Sequence, residues 1–166
     1  MNQAHIHLLF NHAPILASLF GAVLLLIAVL RNNAVLLRTG LITLLTAALL
    51  AIPTQLTGEG AEEIVEDRPG VTHHLIHEHE EAAEVAFIVI EVTGALALLS
   101  LLMLGRQHSR ASLLSRLTLA GALVSFGLLA RAGNLGGQIM HPEARSGAAV
   151  EAAGHKEGEQ HEEEHD

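Results

Sequence analysis

The chain has 166 residues, half of them hydrophobic and only 16% charged, with a formal net charge of −9 and no cysteine. That composition is too apolar for an ordinary soluble domain and too regularly blocked for a disordered chain. Without cysteine there is no disulfide, no thiolate zinc site, no cysteine-ligated iron–sulfur cluster and no covalent c-type haem. Any metal or cofactor must be held by His, Asp, Glu, backbone or water.

The apolar residues fall in blocks. Ala13 to Leu30 carries no charge, nor does Thr39 to Leu56; Val85 to Leu104 is interrupted only by Glu91, and Leu117 to Met140 only by Arg131. Each block reaches the roughly 20 residues needed to cross a ~30 Å hydrocarbon core as a helix. A soluble bundle would need a polar stripe on every helix, and the first two blocks show none. The expected fold is therefore all-α, a four-transmembrane-helix bundle running up-down-up-down, with spans at about 12–30, 36–56, 82–104 and 113–140. Residues 1–141 form the transmembrane domain on this reading. The His/Glu-rich stretch 142–166 forms a disordered acidic tail.

In chain order, a short amphipathic entry from Met1 to Asn11 leads into the first span, and no Lys or Arg precedes it, so no cleavable signal peptide is expected. "RNNA" at Arg31–Ala34 predicts a tight turn into the second span, which ends near "PTQLTG" at Pro53–Gly58. A long connection, Glu59 to Glu81, breaks at "RPG" before the third span, and "GRQHSRAS" turns into the fourth. Four spans place both termini on one side. Arg31, Arg38, Arg106, Arg110 and Arg116 cluster at one set of span ends, whereas Arg68, Arg145 and Lys156 lie in longer, acid-rich segments at the other. The positive-inside rule puts the first set in the cytoplasm and both termini outside, as in a bacterial cytoplasmic (inner) membrane with its periplasm. Eleven of the twelve histidines, all but His108, then lie on the outer side.

His73 to Glu84 packs four histidines and four glutamates at the mouth of the third span. His77, Glu84 and Glu91 recur every seven residues as one helical stripe, with Glu80 and Glu81 between the first two. Glu91 is expected roughly 14 Å below the entry, where a lone carboxylate is costly. Arg131 precedes Met140 by nine residues and is expected at similar depth, so a buried Glu91–Arg131 pair is predicted. Asn134, Gln138 and His141 continue the polar stripe from Arg131, and "GNLGG" at Gly133–Gly137 allows close packing or a flat cofactor. At the first span, Pro14 fits a helix starting near His12, which leaves His5 and His7 in a solvated arm.

These pieces converge at the outer ends of the spans, the place where helix bundles build metal or haem sites. The candidate cofactor ligands are His12, His79 and His141. The candidate metal ligands are His12, His77, His79, His141, Glu63, Glu80 and Glu84. No spacing matches a specific zinc signature, and His155, His161 and His165 belong to the polar tail.

Four stretches, "HLLFNHAPI", "TGEGAEE", "HEHEEAAEVA" and "ARAGNLGGQIMHPEAR", resemble an uncharacterised bacterial domain-of-unknown-function family of small four-span membrane proteins. The resemblance rests on His12, Pro14, Gly136, Gly137 and His141, with Ala13 standing where that family often has a bulky aromatic. It implies the fold and the membrane location, and a link to haem or redox modules. The expected function is an outward-facing His/Glu site binding haem b or a transition metal for electron transfer, tuned by Glu84, Glu91 and Arg131. Two alternatives stand beside it. One is metal-ion handling or translocation, with Thr39, Thr43, Thr46, Glu91 and Arg131 lining a path in a homo-oligomer and the His/Glu-rich segments capturing ions. The other is a non-catalytic accessory subunit of a respiratory complex. The expected partners are the lipid bilayer and a redox partner, with no nucleic acid. No nucleophile–base motif or phosphate loop marks a stand-alone enzyme.

Overall fold

In a computed structural model, residues 3–145 are described, and they are helical throughout apart from turns. Helix α1 spans Gln3–Phe10, α2 His12–Arg31, α3 Ala34–Leu56, α4 Gly58–Val65, α5 His73–Gly105 and α6 Ala111–Met140. Four helices are long and apolar enough to cross a membrane, as expected from the blocks. Helices α2, α3, α5 and α6 pack in a ring, each against its sequence neighbour and α6 back against α2. The chain therefore enters and leaves at one end, here termed the His-rich end. The opposite end carries Arg31, Arg38, Arg106, Arg110 and Arg116.

Short local signals set the joints. Asn32 takes the left-handed conformation (φ 48°) that closes α2, and the Asn33 side chain accepts from the Val35 and Leu36 amides, both at 3.0 Å, to open α3. Pro14 lacks the amide that would bond Phe10, and the helix is interrupted at Asn11, between α1 and α2; α1 packs against α4 and α3. Two features go beyond the expected spans. Helix α5 begins nine residues before position 82, capped by Thr72, whose hydroxyl accepts from the Leu75 amide at 3.3 Å. The acidic connection forms α4. The segment from Pro142, expected to be disordered, opens with a 3-10 turn at Pro142–Ala144, and Arg145 folds back to donate to the carbonyls of Gln138 and Ile139. The rest of the tail, with His155, His161 and His165, lies outside the described residues.

The interior is built mostly from small side chains with a few leucines and isoleucines among them, and many of the large apolar side chains point outward. Ala22, Leu25, Leu41, Leu44, Ala97 and Ala122 form one buried cluster, Ala47, Ala48, Ala51 and Ile90 a second, and Ala82, Ala86 and Ala132 a third. Leu16, Phe20, Leu49, Ile88, Leu123 and Val124 are among the large apolar side chains left exposed, as suits a lipid-facing surface. Two buried hydrogen bonds tie α5 to α6: Thr93 to Ser125 at 3.0 Å and Ser100 to Thr118 at 3.1 Å. Each threonine already donates its one hydrogen to its own helix, Thr93 to Val89 O and Thr118 to Leu114 O. The serines are therefore the donors between helices, each bond contributing on the order of 0.6 kcal/mol by the membrane-protein average.

The α3–α5 contact is closer still, since a Cβ built on Gly94 would overlap the Ala48 side chain. Gly94→Ala is expected to destabilise the bundle by about 1–3 kcal/mol, the usual cost of overpacking. Ala48→Gly in the same chain should recover most of that loss. Thermal unfolding of the three variants in detergent measures both effects.

Candidate functional site

The buried stripe of α5 runs through Ala82, Ala86, Ile90, Thr93, Ala97 and Ser100. His79 precedes Ala82 by three residues and lies on that stripe, whereas His77 lies on the opposite face. The His79 ring enters the bundle and packs against Gly136 of α6. Its Nδ1 lies 2.9 Å from the carbonyl oxygen of Ala132. A carbonyl only accepts, so Nδ1 carries the hydrogen. The carbonyl is reachable because position 136, one turn on, has no side chain: a Cβ there would meet Cε1 of His79 at 3.0 Å.

A second imidazole comes from α1. His7 Nδ1 lies 3.0 Å from the Thr54 carbonyl, in the last turn of α3 where carbonyls lack helical partners. Thr57 Oγ1 stands 3.4 Å from the same nitrogen while donating to Pro53 O at 2.8 Å. His7 and His79 lie close enough for their positive charges to repel if both were protonated. Each, when neutral, spends its Nδ1–H on main chain and keeps the Nε2 lone pair for another use. Two imidazoles from different helices are thus fixed in tautomer by carbonyls, the arrangement that orients metal-ligating histidines.

The other expected ligands do not join them. His12 is exposed and bonded to the neighbouring Asn11 side chain. His77 is 68% exposed and pairs with Glu81 at 3.3 Å, and His141 pairs with Glu143 at 2.8 Å. Glu143 is held below the usual carboxylate range by a backbone hydrogen bond and by His141. Glu63 and Glu84 are exposed. Glu80 shares a hydrogen bond with Glu62 of α4, which, with burial, raises the Glu62 carboxyl above its ordinary value. Among the described residues no group of three or more His, Asp or Glu could hold a metal ion. A shallow pocket lined in part by Asn32, Asn33, Ser112 and Arg116 belongs to the opposite end.

The expected Glu91–Arg131 pair is not formed. Oε1 of Glu91 is buried without a hydrogen-bond partner, and Arg131 is exposed. Depth alone had suggested the pair, and rotation defeats it. Glu91 is two residues from Thr93, which faces α6, and so points about 160° away from that helix. Arg131 lies about 100° around α6 from buried Ala132. Asn134 and His141 share its exposure. The hydroxyls of Thr39, Thr43 and Thr46 close on the carbonyls four residues earlier, at exposed or half-buried positions of the single chain.

Compared with family models, curated proteins and solved structures, the chain matches none. The family resemblance of its four motifs rests on the sequence alone. What the fold and the site define is a class: an all-helical bundle of four membrane-length helices with two carbonyl-anchored imidazoles inside its His-rich end.

Gly136→Val is expected to push the His79 ring off Ala132 and to destabilise the bundle by about 0.5–1.5 kcal/mol, the net worth of one hydrogen bond. Gly137→Val is the matched control, because a Cβ at Gly137 meets nothing within 4 Å. Paired unfolding curves test the difference.

Proposed function

We propose that the protein is a multi-pass membrane protein whose His7–His79 pair binds a transition-metal ion for electron transfer at the outer membrane face. The five arginines at the opposite span ends support that orientation through the positive-inside rule, and a bacterial cytoplasmic membrane is the setting proposed for it. The observation that carries the site is the pair of neighbouring Nδ1-anchored imidazoles, each of which keeps its Nε2 lone pair for a metal ion. Imidazole nitrogen suits copper, iron and zinc, and water can complete the coordination. Copper or iron there would supply the one-electron chemistry. The chain's own part is to hold the two donors neutral, oriented and shielded by α1.

Haem b draws on the same donors, but the gap that Gly136 opens is filled by the His79 ring, which favours an ion over a macrocycle. A second reading, metal-ion handling, is favoured by the solvent-facing His–Glu pairs His74–Glu78, His77–Glu81 and His141–Glu143 around the same end.

Protein purified from membranes should carry about one copper or iron per chain by elemental analysis and lack a Soret band. His7→Ala and His79→Ala should each lower occupancy at least tenfold, while His12→Ala and His141→Ala leave it unchanged. Metal retained in the His7→Ala/His79→Ala double variant would refute the assignment, and a Soret band lost in both single variants would replace the ion with haem.

A further inference from the structure

Three ionisable groups unused by the proposed metal site stand on the flanks of the bundle. Glu84 and Arg131 are exposed, and Glu91 is half-buried with its enclosed Oε1 unpartnered. The ion pairs among the described residues all join His to Glu, and none includes these three. Glu84, Glu91 and Leu98 recur every seven residues on α5, as do Leu117, Val124 and Arg131 on α6. Leu98, Leu117 and Val124 are 43%, 50% and 54% exposed, so both stripes run down outward faces.

The two hydrogen bonds between α5 and α6 fix their antiparallel register, and in it Arg131 lies level with Phe87. Phe87 falls between Glu84 and Glu91, about 4.5 Å along the axis from one and 6 Å from the other. Within one chain the groups cannot meet, because Glu91 faces away from α6. In copies related by an axis along the bilayer normal the depths are preserved, and a neighbour's Arg131 arrives between the two carboxyl groups. Lipid acyl chains are poor occupants for either stripe, since they offer no partner for a charge.

We infer that a second copy of this chain covers the Glu84/Glu91 face of α5 with the Arg131 face of its α6. The contact is heterologous, one face meeting a different face, so it propagates around a closed ring. The guanidinium bridges the two carboxyl groups, and the apolar members of the stripes, Leu98 with Leu117 and Val124, pack beneath them.

The absence of cysteine makes the test clean. Leu98 and the exposed Ala120 are level in the same register, and Ala120 lies about three turns from Arg131 on its stripe. Chains bearing Leu98→Cys and Ala120→Cys are co-expressed and treated in the membrane with a short bismaleimide. The mixture should cross-link at least tenfold more than Leu98→Cys with Phe20→Cys, an exposed position on α2. In a Glu84→Gln background, Glu91→Arg or Arg131→Glu alone should reduce the yield severalfold, and both reversals in every chain should restore it. Restoration excludes misfolding as the cause of the loss. Cross-linking no higher than in the Phe20→Cys control, or insensitive to reversal, or lost and not restored, would overturn the inference.

Discussion

The structure depends on the seam between α5 and α6, where two serine-to-threonine hydrogen bonds cross a surface of small residues. In a membrane the hydrophobic effect does not drive helices together, so close packing and such bonds must set both rotation and level. With Thr93 and Ser100 turned inward, every third or fourth residue toward the start of α5 is turned inward as well. That rotation carries His79 into the bundle and leaves His77, two residues away, on the outside. The same register brings His79 to Gly136 and the Ala132 carbonyl behind it. The His79 half of the site follows from the seam without any separate device.

The span count, the Asn-Asn turn and the break at Pro69 and Gly70 were legible because they depend on length and local chemistry. The rotation of α5 and α6 was not. The His77–Glu84–Glu91 repeat is a genuine stripe, but a polar stripe points inward only where the outside is apolar and the inside has partners for it. Here the inward face is marked instead by small residues, Ala82, Ala86, Thr93, Gly94, Ala97 and Ser100, with His79 in phase with them. That phase was present in the sequence and outranks the seven-residue repeat as a guide to the core.

His7 is the opposite case. Its role depends on the packing of α1 against α3 and α4, a tertiary contact that local pattern does not encode. Its anchor, the Thr54 carbonyl, belongs to the last turn of α3, where the following Thr57 hydroxyl and His7 serve as donors to the end carbonyls. Of the histidines expected as ligands, His12, His77 and His141 bond locally at the surface and His79 reaches across helices; His7, expected in a solvated arm, reaches across as well. The outer shell keeps its carboxylates close to its imidazoles. The inner pair is anchored by main-chain carbonyls away from carboxylates, and burial favours the neutral form that offers a lone pair.

The tautomers of His7 and His79 test this account most directly. In protein labelled with ¹⁵N-histidine, prepared without metal and embedded in bilayers, both should show a protonated Nδ1 and a bare Nε2. Adding copper(I) should shift both Nε2 resonances and leave both Nδ1 resonances in place. An Nε2–H tautomer at either residue, or resonances unmoved by metal, would contradict it.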